Sequence, residues 1–367
     1  MRSNARRPLP DYDEEVYHWV FRVAAIEEFR PLPVADARTG THIRVEPARS
    51  HLMGLGRSLL LTAAASDRLN RMATRSRVVR RATRAFMPGE TVEAALEAGR
   101  GLVDADGRGL LFTHLGEALT TLVEAERVRD HYLGLLDRMA AAGVPGEISV
   151  KPTQLGLEQS PRRCAELAGE LADRAHAVGS VLWLDMEDSS YVDRTLDLYE
   201  SLKVDYPRTG LALQAYLRRT PADLERLAPL GPVVRLVKGA YSEPPEVAFP
   251  RKADTDRTFQ DVALRMMELA AKGRRGEGPP SRAVLGTHDL LLVGRIQAEA
   301  RERGLPPNTF EVHMLYGIRA NHQARLRSEG QAVSTLISYG QDWYRWYMRR
   351  LAERPANVWF VARSIFG

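Results

Sequence analysis

Short apolar runs alternate with longer amphipathic stretches from Gly109 to the end of the chain. Many of the runs are rich in β-branched residues, which is typical of buried strands. The runs cover residues 110–113, 147–152, 181–185, 211–216, 233–238, 283–288, 310–316 and 332–339. The pattern therefore predicts eight strands separated by helices.

The stretches between the runs carry apolar residues at helical spacing. Strands that alternate with helices pair in parallel through right-handed crossovers. Eight such units in about 250 residues match one closed barrel, so we predict an α/β fold of the (β/α)8 TIM-like class. A doubly wound open sheet stays open as the alternative, because periodicity alone does not show closure. The clearest predicted helices cover residues 119–142, 162–178, 254–271, 290–303 and 342–353.

The first hundred residues lack this alternation and indicate helices and loops. Residues 16–28 and 55–64 are apolar at helical spacing. Thr91 followed by residues 94–99 indicates a short helix with a capping side chain. The predicted domains are an N-terminal helical extension, residues 1–100, and the barrel, residues 101–367.

Composition and charge narrow the function classes. The chain has 367 residues, a net charge of +5 and one cysteine, Cys164, which excludes an internal disulfide. The arginine-rich stretch 68–84 predicts a solvated helix face or contact with an anionic membrane. It lacks the aromatic residues that stack on bases, which argues against nucleic-acid recognition. No histidine pair has metal-ligand spacing, and no three-glycine dinucleotide loop follows a predicted strand.

Apolar length and the N-terminal segment bear on localisation. No apolar run is long enough to cross a bilayer. The first fifteen residues lack the apolar core of a secretory signal and are acidic for a transit peptide. We therefore expect a cytoplasmic protein.

Polar residues recur where the predicted strands end. In a parallel barrel these ends meet at one face, where barrel enzymes carry their catalytic groups. A buried strand loses stability when it carries an unpaired charge, so such residues bind a ligand or one another. A salt-bridge network that closes the barrel rim is the alternative for any one of them, but seven strands together favour a shared ligand site. The residues are His114, Glu117, Lys151, Asp185, Glu187, Gln214, Arg235, Lys238, Thr287, His288, Glu311 and His313.

Cations concentrate in one sector of this predicted site, at Lys151, Arg235 and Lys238. Cations at strand ends, beside helix N-termini, suit an anionic phosphate group. The pyrophosphate of a cofactor such as FAD fits them better than a metal ion does.

The last predicted helix carries a pair of arginines. Arg349 and Arg350 precede Glu353 at i+4 and i+3 spacing, so one helix face can hold all three. Two adjacent guanidinium groups can grip a small carboxylate, and this pair follows directly after the eighth predicted strand.

Eight segments carry a resemblance to a known family. They are GEISVKPTQLGLE, LWLDMEDSSYVDRTLDLYESL, ALQAYLRRTPADLERL, VRLVKGAYSEP, RKADTDRTF, GTHD, FEVHMLYGIR and WYRWYMRRLAERPAN. In this order, from Phe86 to Asn357, the chain resembles the proline dehydrogenases, in their short monofunctional bacterial form. The resemblance implies a barrel that uses FAD to oxidise L-proline to Δ1-pyrroline-5-carboxylate and passes the electrons to a quinone.

The resemblance also implies roles for individual residues. Arg349 and Arg350 resemble the pair that holds the substrate carboxylate, and Glu117 resembles the acidic partner of Arg349. Lys151 resembles a lysine near the substrate amine, and Asp185 an acid behind the site. Tyr241 and Leu315 resemble residues around the substrate ring. The implied FAD contacts are Gln214, Arg235, Lys238, Gly239, Ala240, His288 and Glu353, with Arg235 nearest the flavin N5 region. The implied catalytic residues are Lys151, Asp185, Arg235 and Tyr241.

Departures from the family pattern keep the substrate open. Leu336 stands where the family usually has a tyrosine against the substrate ring, and Ser334, Ser338 and Thr113 also differ. A proline analogue or derivative from a biosynthetic pathway is therefore the alternative substrate. A non-catalytic barrel, a basic surface-binding protein and a Schiff-base aldolase are further alternatives. Peripheral membrane contact would accompany electron delivery to a quinone.

Overall fold

The computed structural model describes residue 83 and residues 86–116 and 119–343. They belong to one compact unit, Ala82–Trp343. No helix among them combines the length and the apolar character that a membrane span needs.

Eight parallel strands form a closed barrel in the order β1 to β8, which confirms the predicted fold class. Each strand pairs with the next one in the chain, and β8 pairs with β1. All eight strands fall on the predicted apolar runs. They are β1 Gly109–His114, β2 Glu147–Val150, β3 Leu182–Leu184, β4 Gly210–Gln214, β5 Val233–Val237, β6 Arg282–Gly286, β7 Phe310–Leu315 and β8 Val333–Tyr339.

The helices follow the amphipathic stretches, and several begin at a capping side chain. The Thr121 hydroxyl accepts from the Glu124 N–H while the Glu124 side chain accepts from the Thr121 N–H, a reciprocal capping box. Ser160 and Asp289 cap other helices in the same way with one bond each. The described helices are α1 Val92–Asp106, α2 Leu122–Ala142, α3 Pro161–Ala177, α4 Val192–Asp205, α5 Thr220–Leu227, α6 Lys252–Arg274, α7 Leu290–Glu302 and α8 Ala320–Ser328.

The helix that precedes β1 is longer than the sequence predicted. Thr91 caps α1 as expected, but the helix continues to Asp106. It packs against β1 and β8, the two strands that close the barrel. A Cβ atom on Gly99 would lie 2.8 Å from a methyl carbon of Leu110, so glycine lets α1 approach the barrel closely. The predicted boundary at residue 100 falls inside α1, and the division into two domains stays a prediction.

One buried amide ties the closing strands to their neighbours. The Gln323 amide nitrogen on α8 donates to the carbonyls of Leu315 and Ile318, at 2.9 and 2.7 Å. Its oxygen accepts from Arg108 at 3.0 Å and from Thr335 on β8 at 2.7 Å. Since all its bonding groups are used, this amide fixes the end of β7 against β8.

The barrel interior is layered. Alternate residues of a strand point to the same side of the sheet, so positions two apart share the interior. A small apolar cluster fills its middle, formed by Leu111, Val181, Trp183, Val233 and Val284. Polar and charged side chains lie on either side of this cluster, toward the two ends of the strands.

Candidate active site

The amino-terminal end of the barrel, which we call the floor, is a closed ion cluster. Arg282 donates to both carboxylate oxygens of Glu311, at 2.7 Å each, and to Glu147 at 2.5 Å. The Trp183 indole N–H donates to Glu147 at 2.6 Å. Burial raises the pKa of Glu311, but the opposite effect of the His313 ring and the Arg282 guanidinium is larger. The net result is a pKa lowered to about 2. The floor is therefore an ion cluster whose charges satisfy one another.

This arrangement corrects one prediction. We expected Glu311 and His313 to join the ligand site at the strand ends, but Glu311 is the second residue of β7 and binds the floor. His313 is buried, and its Nε2 lies 3.8 Å from Glu311. Burial lowers the pKa of His313, and the neighbouring Glu311 carboxylate opposes part of that decrease.

We call the opposite end the mouth. There Arg235 on β5 is held by a residue of β2 and by the residue that follows β3. One terminal nitrogen, Nη2, donates to the Ser149 hydroxyl at 3.0 Å and forms an ion pair with Asp185. The Ser149 hydroxyl donates to the same Asp185 oxygen at 2.7 Å. Residues from β2, β5 and the end of β3 thus form one polar triangle, and two of its members were predicted site residues.

Two of the buried polar atoms at the mouth that have no partner among the described residues belong to predicted FAD contacts. They are Nη1 of Arg235 and the amide oxygen of Gln214. Arg235 and Gln214 are 4% and 2% exposed, so water does not easily replace a partner. The amide nitrogen of Gln214 donates to the Glu187 carbonyl at 2.6 Å, which orients the amide. A buried polar atom without a partner costs free energy, so these atoms indicate a ligand.

Glu187 and Lys151 lie on the same side of the mouth. The Glu187 carboxylate accepts from the Thr153 hydroxyl at 2.6 Å and from the Thr153 N–H at 3.1 Å. Burial raises the pKa of Glu187, and the neighbouring Lys151 charge opposes part of that increase. In the part of the chain that the structure describes, the Lys151 ammonium forms no hydrogen bond or ion pair, which leaves it available to a ligand.

Lys238 is part of a second ion cluster at the mouth. Its ammonium donates to Asp256 and Asp289, at 2.7 Å each. Lys252, at the start of α6, pairs with the same two aspartates. Burial raises the pKa of Asp289, while the Lys238 ammonium and the Leu292 N–H lower it to about 2. Lys238 is therefore accompanied by aspartates, as Arg235 is by Asp185, whereas Lys151 forms no ion pair with the described residues.

The glycine after β5 lets the backbone pass close to an aromatic ring. Gly239 has φ +114°, and a Cβ there would lie 2.1 Å from the Tyr216 ring. Only glycine fits this position without strain. Ala240 is exposed and Tyr241 is half-buried.

The predicted substrate-facing leucines lie side by side. Leu315 on β7 pairs in register with Leu336 on β8, and Leu336 pairs with Leu111 on β1. The Leu315 N–H donates to Nε2 of His288 at 3.2 Å, which joins the ends of β6 and β7. Leu315 and Leu336 are half-buried and form an apolar sector of the mouth.

Several predicted residues lie outside the described residues. They are Glu117, Arg349, Arg350 and Glu353, together with residues 16–28, 55–64 and 344–353 of the predicted helices. Of the arginine-rich stretch 68–84 only Thr83 is described.

Sequence reasoning missed three residues of the site. Ser149 and Trp183 each stand two positions before a predicted site residue, Lys151 and Asp185, and so share its face of the sheet. That period of two could have identified them. Asp256 lies on α6, and no local signal connects it with Lys238.

Comparison with known proteins finds a family profile and bacterial proteins that are similar to this chain. The profile of the family described as proline dehydrogenase matches residues 99–363. Proline dehydrogenase 1 of Bacillus subtilis (strain 168) is 33% identical over 282 residues, which cover 77% of this chain and 90% of that protein. Proline dehydrogenase of Deinococcus radiodurans is 31% identical over 316 residues, covering 85% of this chain and 98% of that protein.

Solved structures of proline utilization A (PutA) proteins are also similar to this chain. Proline utilization A (PutA) from Bdellovibrio bacteriovorus, inactivated by N-propargylglycine, has a TM-score of 0.68 at 21% identity and covers 75% of this chain, which shows the fold. A mutant of PutA from Bradyrhizobium japonicum has a TM-score of 0.63 at 26% identity and covers 78% of this chain. The chain spans 33% of the length of each of these PutA proteins. From the family profile and the two bacterial relatives together, it follows that the chain belongs to the proline dehydrogenase family.

Proposed function

We propose that this chain binds FAD at the barrel mouth and oxidises L-proline to Δ1-pyrroline-5-carboxylate, with a quinone as the electron acceptor. Family membership supports the reaction. The observation that carries the cofactor assignment is the unused bonding capacity of Arg235 and Gln214. Both are predicted FAD contacts, and both are buried at the same end of the barrel.

The described residues fit a flavin. Arg235 offers a buried N–H donor with a positive charge, and Gln214 offers a buried acceptor. Gly239 lets the backbone after β5 pass close to the Tyr216 ring, and Lys238 and Lys252, each paired with Asp256 and Asp289, lie at the same end of the barrel. FAD, when bound, supplies the acceptor for the two electrons that leave the substrate.

In this proposal the chain's own residues orient the substrate and manage charge. Arg349 and Arg350 grip the carboxylate, with Glu117 beside them, and Leu315 and Leu336 exclude water from the ring. Arg235, held by Asp185, stabilises negative charge that develops at the cofactor. Tyr241, Ala240, His288 and Glu353 complete the predicted contacts.

Lys151 takes part through its charge. Hydride leaves the carbon next to the amine, and the nitrogen lone pair must be free of its proton to drive this departure. The Lys151 ammonium disfavours a second positive charge beside it and so favours the neutral amine. In Lys151→Met we expect the acid limb of the kcat profile with proline, which reports the bound substrate, to move to higher pH. An unchanged profile, with unchanged FAD content, would contradict this role.

An anaerobic titration tests the proposal. The purified protein should be yellow, and L-proline should bleach the flavin absorption without oxygen. D-proline serves as the control, because a carboxylate clamp with a fixed hydride path discriminates between the two configurations. A protein that takes up no FAD, or a flavin that L-proline and its analogues all fail to bleach, would overturn the proposal.

The apolar sector of the mouth favours a second candidate substrate. Leu315 and Leu336 are adjacent, and beside them the small hydroxyl residues Thr113 and Ser338 pair in register. Such a wall suits a proline ring with an apolar substituent, or a proline derivative. The same titration decides, because a substituted proline should then bleach the flavin at about tenfold lower concentration than proline does.

The acceptor and the cellular site follow from the same proposal. A quinone dissolves in the bilayer, so a cytoplasmic enzyme that reduces it makes peripheral membrane contact. The arginine-rich stretch 68–84 is the proposed contact. Retention by anionic vesicles at low salt, and its loss in a variant with Arg75, Arg77 and Arg80 changed to Gln, would support this; no retention of the unaltered chain would refute it.

A further inference from the structure

We infer that Trp183 is a positioning residue for Arg235 and sets the direction in which its free guanidinium nitrogen points. This inference rests on the proposed function, because the nitrogen it aims is the proposed flavin contact. It goes beyond that function by assigning a role in the reaction to a side chain that lies beneath the site.

Two guanidinium groups lie over the Trp183 ring in the barrel interior. The Arg235 Cζ atom lies 5.2 Å from the ring centroid and the Arg282 Cζ atom 5.4 Å from it. The His313 and Trp183 ring centroids lie 5.7 Å apart, with the ring planes inclined at 67°. The indole is fully buried, so these cation–π contacts are not weakened by water.

The indole is itself held from the floor. Its N–H donates to one Glu147 oxygen at 2.6 Å, and the other Glu147 oxygen accepts from Arg282 at 2.5 Å. Arg282 in turn binds both oxygens of Glu311. The ring therefore cannot tilt without breaking bonds in a buried ion cluster, which is costly.

The polar contacts of Arg235 leave one degree of freedom that the indole removes. Asp185 and Ser149 both bind the same nitrogen, Nη2. Contacts at a single atom hold that end of the guanidinium but allow the group to pivot about it. The indole face lies against the guanidinium carbon and resists this pivot, so Nη1 points in one direction.

The indole also stands among unlike charges. Its N–H binds Glu147, which shares Arg282 with Glu311, and Arg235 lies over its ring. With a smaller aliphatic side chain at position 183, the Arg235 guanidinium could turn toward these carboxylates and away from the cofactor. The predicted result is a flavin that stabilises negative charge less well.

Sulfite binding measures this effect without turnover. Inorganic sulfite adds to an oxidised flavin, bleaches its visible absorption and leaves negative charge on the ring, so its dissociation constant reports the local positive field. In FAD-loaded Trp183→Leu we expect this constant to rise about tenfold and kcat with proline to fall about tenfold, with KM changed less than about twofold. Trp183→Phe keeps an aromatic face and should lie between the two, at about threefold.

A matched core variant separates positioning from packing. Phe259 on α6 is as fully buried as Trp183 but lies outside the barrel wall, so Phe259→Leu should lose stability and keep the sulfite constant. If Trp183→Leu does not fold, Trp183→Phe decides by the same comparison. A sulfite constant in the Trp183 variants equal to that of Phe259→Leu would overturn the inference.

The two proposals fail in different ways. An unaltered chain that takes up no FAD contradicts the proposed function and removes the basis of this inference. An unaltered chain that binds FAD and is bleached by proline, with Trp183 variants that bind sulfite normally, contradicts the role of Trp183 alone.

Discussion

The floor and the mouth of this barrel use the same residue types in opposite ways. At the floor, one arginine meets two glutamates and a tryptophan N–H. At the mouth, an arginine meets one aspartate and one serine and keeps a buried nitrogen without a partner among the described residues. A buried charge inside a barrel therefore does not by itself mark a functional site. Unused bonding capacity marks the mouth because Arg235 and Gln214 share it at one end of the barrel; taken alone it is not enough, since both ring nitrogens of His313 near the floor also lack a partner among the described residues.

The largest expected effect breaks the floor. Arg282→Leu leaves Glu147 and Glu311, which are 17% and 27% exposed, without their shared cation, which should lower the free energy of unfolding by about 3 kcal/mol. Urea unfolding followed by circular dichroism measures it. Arg325→Leu, which breaks an exposed pair with Glu329, is the control and should change stability by less than about 1 kcal/mol. A floor variant as stable as this control would remove the contrast between the two ends.

The next largest expected effect is on the rate of flavin reduction, after a substitution at the mouth. Arg235→Met should slow flavin reduction by proline about 10²- to 10³-fold, because the cation beside the cofactor is lost. Its cost to stability should be smaller than that of Arg282→Leu, because it leaves one carboxylate, Asp185, without its cation instead of two. Stopped-flow absorption measures the rate of flavin reduction, and urea unfolding measures the free energy of unfolding. Normal reduction rates in this variant would show that Arg235 is structural.

Acid should weaken the floor in a defined pH window. The pKa of Glu311 is lowered to about 2 in the folded chain, so its contribution is present above the ordinary glutamate pKa and is lost as the pH falls toward 2. Glu311→Gln should show on the order of 2 kcal/mol less loss of stability between pH 4.5 and 2 than the unaltered chain. Glu329→Gln, at an exposed position, is the comparison. Equal pH slopes for the two variants would contradict the prediction.

The smallest expected effect is at Gln214, and it tests whether a buried polar atom without a partner is a ligand contact. In Gln214→Leu the free amide oxygen disappears together with one bond to the Glu187 carbonyl. The apo protein should change in stability by less than about 1 kcal/mol, while FAD should bind about five- to tenfold more weakly. Flavin fluorescence titration measures the affinity for FAD, and thermal unfolding measures the stability of the apo protein. If apo stability falls strongly and FAD affinity does not, the oxygen has no role in binding.

The strands and the barrel class could be predicted because their signals are local. A run such as VVRLV at residues 233–237 is apolar, β-branched and short, and each of the eight runs is bounded by a helical stretch. Helix lengths were less predictable. Gly99 and Gly101 disfavour a helix, and α1 passes through both because the first glycine allows close packing on β1.

Pairing in the site could not be predicted, because it joins residues far apart in the chain. Arg282 and Glu147 are separated by 135 positions, and nothing near Glu311 shows that it binds the floor. The same holds for Asp256 and Lys238. Sequence places a charge on a strand face, but the direction in which its partner lies depends on closure of the barrel.

The triangle of Ser149, Asp185 and Arg235 is carried by strands, whereas Tyr241 lies on the loop after β5. Loops can lengthen, shorten or change composition without disturbing the register of a closed sheet. Under the proposed function, the triangle that orients Arg235 would keep its geometry while the loop that carries Tyr241 varies. Exchange of this loop would then change the contacts around the substrate and leave the contacts of Arg235 intact, and natural divergence has the same route open to it.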